Sequence, residues 1–410
     1  MEKKRELGFI IFLLLQVLFV SARAMSQDWP MFRSESTRRG GVGSLPDSPV
    51  TLWTYRMVEG VNSSPALSGD RLLVGSLDGK MYCLDKQKGS VIWKSLTNGV
   101  INSSPAVAEG KVFFGIGSLD IYVEIIPQDL PPAVQVSRSG KINGLSVEVS
   151  TSLDYDGKIV CLSLDQGNLL WSSRMGDFVF SSPAVSGGRV YVGCGDGYMY
   201  CLETETGKKL WQFKTQDEIA SSPLLAYGKV YFGSFDNKFY CLDAINGKKL
   251  WEFRSNDIIF SSAAVSKNRV YFGSQDKYLY CLQADTGKFI WKFRAADEIN
   301  STPAIGSGKV VFGSSDKYIY CLDAIRGRKI WSYRTVDRVT TSPALGKEKV
   351  VVASDNGYLY CLSLEKGKLL WKEKLIGNIQ ASPAFHEGKI YQATTGKYVY
   401  CLGDKAKKGL

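Results

Sequence analysis

The chain has 410 residues, of which 44% are hydrophobic and 22% charged, and its formal net charge is +11. This balance is that of a globular protein and argues against a disordered chain. The 21 Tyr, 19 Phe and 9 Trp beside 41 Gly are typical of aromatic strands separated by glycine turns. The basic charge favours an anionic partner, but no nucleic-acid motif is present, so we expect no nucleic-acid ligand.

The N-terminus has the pattern of an export signal. A basic start at residues 3–5 precedes an apolar run at residues 7–20, and Ala22-Arg23-Ala24 offers small residues where a signal peptidase cuts. The run is shorter than the ~18 residues of a membrane span. We therefore predict a signal peptide at residues 1–24 and an extension at residues 25–50; an uncleaved anchor is the alternative. The protein is predicted to be periplasmic or extracellular and at most peripheral to a membrane. It is not expected to be a lipoprotein, because no cysteine lies near the cut.

Two sequence marks recur eight times, mostly at intervals of 40 residues. One mark is Ser-Ser-Pro-Ala or a close variant, as at residues 63–66 and 103–106. The other is a cysteine followed by leucine; the first seven of its eight copies have tryptophan ten residues after the cysteine and glycine four residues before the tryptophan. Such a repeat predicts one structural unit per period. The tryptophans predicted to dock between units are Trp53, Trp93, Trp171, Trp211, Trp251, Trp291, Trp331 and Trp371.

One repeat is predicted to form four short strands, at residues 219–225, 229–233, 238–243 and 249–254. Four strands in about 40 residues are typical of a propeller blade, whereas the repeats of a β-solenoid are shorter. The sequence therefore predicts an all-β protein that is an eight-bladed β-propeller.

The two ends of the chain are predicted to close the ring in one blade. The tryptophan that should follow Cys401 would fall at position 411, beyond the last residue, and Trp53 supplies it from the N-terminus. We therefore predict that residues 51–56 pair with residues 397–402, which places the propeller at 51–402 and a basic tail at 403–410. Closure of this kind removes exposed sheet edges.

The stretch from Cys241 to Trp251, CLDAINGKKLW, resembles the tryptophan-docking motif of quinoprotein-type β-propellers, Ala-x-Asp-x-x-x-Gly-x-x-x-Trp. The resemblance extends to the opening Asp28-Trp29-Pro30-Met31-Phe32-Arg33 and covers the mature chain. It implies the propeller fold but not one function, because this family includes pyrroloquinoline-quinone (PQQ) dehydrogenases, the assembly factor BamB and many exported propellers. This chain departs from the motif in having cysteine at its first position in all eight repeats.

Most residues that could carry chemistry are interpreted as structural. The repeated cysteines are predicted to be buried free thiols, because equivalent positions in neighbouring blades lie too far apart for disulfides. His386 is predicted to be an exposed turn residue, and no zinc-ligand spacing is present. The recurring aspartates of one turn are predicted to cap it: Asp78, Asp156, Asp196, Asp236, Asp276 and Asp316. The triplets that begin at Asn62, Asn102 and Asn300 match a glycosylation pattern but fall on the innermost strand.

Two rings of charge are predicted on one face of the propeller. They are read either as local ion pairs that brace the loops or as a charged mouth for a polar ligand or partner. The basic ring lies three residues after each tryptophan and consists of Arg56, Arg174, Lys214, Arg254, Arg294, Arg334 and Lys374. The acidic ring lies six residues after and consists of Glu59, Asp177, Asp217, Asp257, Asp297 and Asp337, with breaks at Gly99 and Gly377.

The second blade is about 38 residues longer than the others, because of an insertion at about residues 117–155. The insertion contains Tyr122 and joins the second and third strands, so chain alternation places it on the charged face. Gly99 is predicted to follow the fourth strand of this same blade directly. Long loops on a rigid frame often carry specificity. We therefore predict a binding face formed by the charged rings and Tyr122, although an unselected insertion is the alternative.

The leading hypothesis is a non-catalytic exported scaffold that binds an envelope protein or an anionic polymer. We expect it to be a monomer without a cofactor. One alternative is a PQQ-dependent oxidoreductase. The resemblance would then imply adjacent cysteines over the quinone and carboxylate and amide ligands for calcium, but the sequence contains no Cys-Cys pair. A second alternative is a binder of carbohydrate or an envelope polymer.

Overall fold

The computed structural model describes residues 44–125, 139–142 and 145–405, with side chains described for residues 44–117 and 157–405. Within these ranges every element of the fold is a β-strand, and the strands form eight sheets. Contacts between first strands, together with hydrogen bonds between the serines that precede them, join neighbouring sheets around a closed ring. The chain is therefore an eight-bladed β-propeller, as its repeats predict. The predicted signal peptide 1–24, the extension up to residue 43 and residues 406–410 of the tail lie outside the described residues.

The strands follow the chain from the axis outwards in each blade. Strand β1 is Pro49–Arg56, and the first blade contains β2 (Ala66–Ser68), β3 (Arg71–Gly75), β4 (Lys80–Asp85) and β5 (Val91–Leu96). The second contains β6 (Ala106–Ala108), β7 (Lys111–Ile125), β8 (Ser139–Ile142), β9 (Leu145–Ser163) and β10 (Leu169–Met175). The third contains β11 (Ala184–Ser186), β12 (Arg189–Gly193), β13 (Tyr198–Glu203) and β14 (Lys209–Lys214). The fourth contains β15 (Leu224–Ala226), β16 (Lys229–Gly233), β17 (Lys238–Asp243) and β18 (Lys249–Arg254).

The remaining blades repeat this order. The fifth contains β19 (Ala264–Ser266), β20 (Arg269–Gly273), β21 (Tyr278–Gln283) and β22 (Phe289–Arg294). The sixth contains β23 (Ala304–Gly306), β24 (Lys309–Gly313), β25 (Tyr318–Asp323) and β26 (Lys329–Arg334). The seventh contains β27 (Ala344–Leu345), β28 (Lys349–Ala353), β29 (Tyr358–Ser363) and β30 (Leu369–Lys374). The eighth contains β31 (Ala384–His386), β32 (Lys389–Thr394), β33 (Tyr398–Asp404) and, as its outermost strand, β1.

The first strand of each blade is shorter than predicted. In the fourth blade, the prediction of a strand at residues 219–225 was wrong, because β15 begins only at Leu224. Pro223 has no N–H to donate to a ladder, and the side chain of Ser221 replaces the missing ladder bonds. Its Oγ donates to Gly233 O at 2.7 Å and accepts from Gly233 N at 2.9 Å.

The second serine of each Ser-Ser pair joins neighbouring blades. Ser182 N donates to Ser222 Oγ at 2.9 Å, and Ser222 N donates to Ser262 Oγ at the same distance. Ser382 N donates to Ser64 Oγ at 2.8 Å, which joins the last blade to the first. The repeated Ser-Ser pair thus has two roles: one hydroxyl extends a blade inwards, and the other links it to the next blade around the axis.

Each docked tryptophan lies on the following blade. A Cβ on Gly287 would lie 2.6 Å from Cε3 of Trp251, so the indole packs directly against the glycine backbone. Trp251 Nε1 also donates to Ala284 O at 3.1 Å. Gly287 has φ +70°, a conformation that favours glycine. The glycine that lies four residues before a tryptophan, such as Gly247, therefore receives the tryptophan of the preceding blade, here Trp211.

The ring closes as predicted. Strand β1 pairs antiparallel with β33, with Trp53 opposite Cys401 and Arg56 opposite Tyr398. The carboxylate of Asp404 accepts hydrogen bonds from the backbone N–H groups of Asp47 and Ser48 at 3.0 and 2.7 Å. The segment before β1 also replaces the missing turn of the eighth blade, because its Pro46 carbonyl accepts from Trp371 Nε1 at 3.0 Å.

The eighth blade shows how a lost hydroxyl is replaced. Ala381 occupies the place of the first serine and cannot bond the second strand. Gln392 stands in β32 where other blades carry an apolar residue, and its fully buried Nε2 donates to Ala381 O at 2.8 Å and Ala393 O at 2.9 Å. Two departures from the repeat therefore compensate each other.

We predict that Trp251→Ala lowers the free energy of unfolding by about 3–5 kcal/mol, because it removes a large buried ring and leaves a cavity over Gly287. Leu250→Ala is the matched control, since Leu250 is the neighbouring side chain and is 44% exposed. Its effect should stay within about 0.5 kcal/mol. Denaturant unfolding measures both values, and equal losses would show that the indole does not lock the blades.

Candidate functional site

The predicted basic ring lies at the outer margin of one face. In the fourth to sixth blades its members end the outermost strand, where Arg254, Arg294 and Arg334 stand opposite Lys238, Tyr278 and Tyr318. The turns between second and third strands are on this same face. The basic side chains are therefore far from the axis, whereas the acidic residues follow in the loops that return to it.

The acidic residues brace these loops. Asp257 Oδ1 accepts from Ile258 N at 2.8 Å, which fixes the loop by a local bond. Three carboxylates pair with lysines of the turns between second and third strands, with distances of 3.3, 3.9 and 3.1 Å for Lys277–Asp297, Lys317–Asp337 and Lys397–Glu59. These lysines, which the sequence interpretation did not single out, provide the ion pairs. Exposed pairs of this kind contribute little to stability.

The insertion leaves the second blade as a hairpin on this face. Strands β7 and β9 stay in register from Lys111 opposite Ser163 to Ile125 opposite Val149, so they continue beyond the blade. Val100 and Gly117 exchange backbone hydrogen bonds of 2.9 and 3.2 Å at the base. Because Val100 lies in a loop between a fourth and a first strand, the predicted position of the insertion is confirmed.

Close packing requires glycine at the base of the hairpin. A Cβ on Gly117 would lie 1.8 Å from Cδ1 of Phe178, and a Cβ on Gly157 would lie 1.7 Å from Asp177 O. The base is thus clamped by the loop that precedes the second blade and by the loop that follows it. Of Tyr122 only the backbone is described, opposite Ser152 in β9.

Packing also explains both breaks in the acidic ring. Gly99 follows β5, so its assignment to the insertion-bearing blade was wrong: it ends the first blade. A Cβ there would lie 3.2 Å from Gly117 O, close to the hairpin base. At the second break, a Cβ on Gly377 would lie 2.2 Å from Gly396 N of the eighth blade. A larger acidic side chain cannot be placed at either position without moving backbone.

The recurring aspartates cap their turns, as predicted, wherever their side chains are described. Asp236 Oδ1 accepts from Lys238 N at 3.0 Å, and Oδ2 accepts from Tyr240 Oη at 2.6 Å and from Gln216 N at 3.1 Å. The same turn bond occurs at Asp78, Asp196, Asp276 and Asp316. Since these oxygens are occupied, we assign them no ligand. The side chain of Asp156 lies outside the described residues.

A cavity of about 480 Å³ lies on the axis and opens to the same face. Its lining is formed by the position before each Ser-Ser pair and by the second residue of that pair. The residues at the first of these positions are Asn62, Asn102, Phe180, Ala220, Phe260, Asn300, Thr340 and Gln380. The sequence analysis did not predict this cavity, although variation at one fixed position of a regular repeat could have indicated it.

One charged pair lines the cavity. Asp355 accepts from Thr340 Oγ1 at 2.6 Å, and Arg338 lies 3.4 Å from its other oxygen. Burial raises the pKa of Asp355, and the bond from Thr340 and the charge of Arg338 oppose that rise. The two charges neutralise each other, so the cavity offers polar groups without a net charge from this pair.

The predicted exposure of His386 was wrong. It belongs to β31, is 6% exposed and lies 3.5 Å from a carboxylate oxygen of Glu387. The short strand β31 extends through it, so the chain turns only after it. Among the residues with described side chains, no group of three or more His, Cys, Asp or Glu could hold a metal ion. All nine cysteines are buried and free, as predicted for the repeated ones.

The opposite face carries a ring of cations that the sequence analysis missed. Each begins the second strand of its blade and contacts the turn between third and fourth strands of the next, or the segment that replaces it. Lys309 Nζ lies 2.7 Å from Glu365, and Arg189 donates to Ile245 O at 2.9 Å. The ring consists of Arg71, Lys111, Arg189, Lys229, Arg269, Lys309, Lys349 and Lys389. Their 40-residue spacing would have revealed them.

Sequence comparisons match nearly the whole propeller. The profile described as "Outer membrane protein assembly factor BamB" matches residues 40–117 and 155–263. The profile described as "Beta-alanine-activating enzyme, beta-propeller" matches residues 229–409. Together with the docking geometry, these matches support a β-propeller of the PQQ-like, or quinoprotein-like, type.

Similar curated proteins are much longer than the matched segments. Quinohemoprotein alcohol dehydrogenase ADH IIB of Pseudomonas putida is 37% identical over 67 residues, which are 15% of this chain and 10% of that protein. Beta-alanine-activating enzyme of Danio rerio is 27% identical over 149 residues, which are 36% of this chain and again 10% of the relative. This chain therefore matches about a tenth of the length of each relative.

Solved structures share the fold at low identity. BamB from Moraxella catarrhalis has a TM-score of 0.69 at 16% identity, covering 87% of this chain and 100% of that one. A europium-containing methanol dehydrogenase has a TM-score of 0.73 at 12% identity, covering 92% and 98%. Quinohemoprotein alcohol dehydrogenase from Comamonas testosteroni has a TM-score of 0.72 at 14% identity, covering 94% and 82%. In the described residues, no helix is long and apolar enough to cross a membrane.

We predict that the buried thiols make the protein less stable in alkali. Burial raises the pKa of Cys241 and Cys281 to about 12 and that of Cys201 to about 11. In the unfolded chain a thiol has a pKa of about 8.5. The folded state therefore holds these protons more tightly, so this stabilisation is complete below pH ~8.5 and is lost as pH rises towards ~12.

Melting temperatures between pH 8 and pH 11 test this expectation, with Cys281→Ala as the matched variant whose decline should be smaller. Thiol labelling at pH 8 should be slow until denaturant unfolds the protein. Rapid labelling of the native protein, or an alkaline decline that alanine leaves unchanged, would contradict it.

Proposed function

We propose that this propeller is a non-catalytic binding scaffold, exported to the cell envelope, whose partner binds the face that carries the β7–β9 hairpin. The observation that carries the proposal is the hairpin itself, the one large departure from an otherwise regular frame within the described residues. Regular blades supply rigidity, and an irregular element on a rigid frame supplies specificity.

The hairpin is long, and backbone hydrogen bonds attach its base to a neighbouring loop. Beyond the blade, eight residues of β7 pair with β9, from Ser118 opposite Asp156 to Ile125 opposite Val149. At about 3.3 Å per residue this arm extends about 25 Å. Its base is fixed by the Val100–Gly117 bonds, so the direction of the arm is set by the frame.

The arm also has free backbone edges. In the described part of the chain, the eight residues of β7 beyond Gly117 pair only with β9. A two-stranded ribbon leaves a row of unpaired N–H and C=O groups on each outer edge, and such an edge is a template for a partner strand. The charged rings on the same face would orient a charged partner.

The matching family supports a protein partner in the envelope. One matching profile is named for an outer-membrane protein assembly factor, and the apolar N-terminus has the pattern of an export signal. Export, the envelope location and a monomeric state remain part of the proposal. The predicted binding residues, including Arg174, Lys214 and Asp217, remain part of the proposal as well.

A quinone enzyme is the competing function, because dehydrogenases are among the similar proteins. The described lining of the axial cavity does not fit the quinone and calcium that the resemblance implies. Its carboxylate, Asp355, is already bonded to Thr340 and paired with Arg338. The nine cysteines are dispersed and buried, and none belongs to the described lining. This disagreement favours a scaffold.

We predict that replacing residues 119–155 by Asn-Gly abolishes partner capture without changing the melting temperature. Ser118 and Asp156 face each other in register, so this two-residue turn should close the hairpin. The measurement is identification of proteins recovered from the organism's own envelope fraction by wild type and variant. Ile245→Glu on the opposite face is the control, following Glu205 at the equivalent place. Undiminished recovery of the same protein would exclude the hairpin as the recognition element.

We predict that charge reversal at Arg254 and Arg294 weakens capture of that same protein and reduces its salt dependence, because rim charges steer association. Affinity at two ionic strengths measures the effect. The control is Lys249→Glu, which reverses a charge at the other end of the same outer strand. An unchanged affinity would exclude the basic ring from the interface.

We predict that the protein shows no alcohol- or sugar-dependent dye reduction when it is mixed with PQQ and calcium. Free PQQ with calcium gives the background rate. Saturable turnover above that background would overturn the scaffold proposal. Binding of PQQ without turnover would be consistent with a non-catalytic binding protein.

A further inference from the structure

One position of the repeat varies in a patterned way around the axis. The residue before it is always Ile or Val and is buried in every blade, and the second residue after it is Ser or Thr. The position itself carries amide, aromatic, hydroxyl or methyl side chains, all of which line the axial cavity. Because the flanking positions are nearly constant, this variation changes the lining without changing the frame.

The variation divides the cavity into two sides. Phe180 and Phe260 come from the third and fifth blades, with Ala220 of the fourth between them. Their side chains are 46% and 45% exposed, although they belong to the innermost part of the propeller. The small Ala220 therefore leaves a recess flanked by two phenyl rings.

Each phenyl ring packs against a second aromatic ring. Phe178 lies 5.6 Å from Phe180, and Phe235 lies 6.1 Å from Phe260, as measured between ring centroids. Supported rings keep their orientation and lose little entropy when a ligand binds. The apolar side is thus a preformed surface.

The facing side is polar. It is formed by Thr340, Gln380 and Asn62 from the seventh, eighth and first blades, which lie opposite the third, fourth and fifth blades, respectively. Asn62 Nδ2 donates to Asn102 Oδ1 at 3.0 Å, which leaves Asn62 Oδ1 an acceptor without a partner among the described residues. Buried polar atoms of this kind are normally satisfied.

We propose that the axial cavity binds a neutral sugar ring, with its C–H face on Phe180 and Phe260 and its hydroxyls on the amide side. A hydroxyl both donates and accepts hydrogen bonds, as an amide side chain does. The negative face of a phenyl ring attracts polarised C–H groups. The volume of about 480 Å³ lies within the range of small-ligand sites.

The charges and polarity of the lining select this class of ligand over others. An anion would find no net positive charge from this pair, because Asp355 already balances the charge of Arg338. A purely apolar ligand would cover the amides without giving them hydrogen bonds, which is costly. A neutral polyol with one apolar face matches both sides of the cavity.

The repeat itself supplies substitutions that the frame tolerates. Ala220→Phe introduces the residue that two other blades carry at this position, and it should fill the recess. The double variant Phe180→Ala and Phe260→Ala introduces the residue of the fourth blade and removes both apolar surfaces. Ile245→Glu on the opposite face is the matched control. Melting temperatures establish that each variant is folded.

The experiment is saturation-transfer NMR and calorimetric titration of the full chain with glucose, N-acetylglucosamine and maltose. We expect at least one sugar to bind with saturation. Affinity should fall at least tenfold in Ala220→Phe and in the double variant, and stay unchanged in Ile245→Glu. No binding of any of the three sugars, or equal binding by wild type and Ala220→Phe, would overturn the proposal. Tighter binding of citrate, titrated in parallel as an anionic ligand, would overturn it as well.

This proposal does not rest on the scaffold function. The variant in which residues 119–155 are replaced should bind the same sugar as wild type does, and the cavity variants should still capture the protein partner. Loss of sugar binding and loss of partner capture therefore report on separate sites. If shortening the hairpin abolished both, the cavity would not be an independent site.

Discussion

The structure depends on a contact between an indole ring and a glycine of the next blade. Trp251 lies on Gly287, and the equivalent contact recurs from blade to blade. The contact needs a glycine, which has no Cβ and can adopt a left-handed conformation. It also needs a tryptophan on the outermost strand and a carbonyl that accepts a hydrogen bond from the Nε1 of that tryptophan. Because each ring bridges two blades, the docking contacts couple neighbouring sheets that share no ladder hydrogen bonds.

Near the axis, hydrogen bonds complement this outer lock. Ser222 links its blade to the next, and Ser382 links the last blade to the first. On the face away from the hairpin, Lys309 and its equivalents reach the following blade as well. Three kinds of contact at three distances from the axis therefore fix the relative position of the blades. The compensating pair Ala381 and Gln392 shows that this frame accepts coupled changes near the axis.

The candidate sites lie where this regular pattern is relaxed. The hairpin requires Gly117 and Gly157 at its base, where neighbouring loops leave no space for a Cβ. The axial cavity uses a position whose side chain contributes nothing to the docking contacts, so Phe180 can occupy one blade and Ala220 the next. Both candidates open on the same face, which allows a protein partner and a small ligand to occupy one side of the propeller.

The sequence by itself determined the number of blades, the strand that closes the ring and the burial of the cysteines. These features follow from periodicity, since Trp53 completes a pattern that Cys401 leaves open. It also located the second, third and fourth strands of a blade, where alternation and glycine turns are strong local signals. The first strand was overestimated, because Ser221 replaces ladder bonds with its side chain, and a sequence pattern does not distinguish the two.

Only the tertiary structure decided which residues meet across blades. Gly247 and Trp251 are neighbours in sequence, yet Gly247 receives Trp211, since the partner is set by how adjacent sheets stack. The burial of His386 and the opposing sides of the axial cavity have the same origin. Residues such as Phe180 and Thr340 are far apart in the chain, and the closed ring brings them to one axis. Local pattern specifies each blade, whereas contacts between blades depend on the geometry of the whole ring.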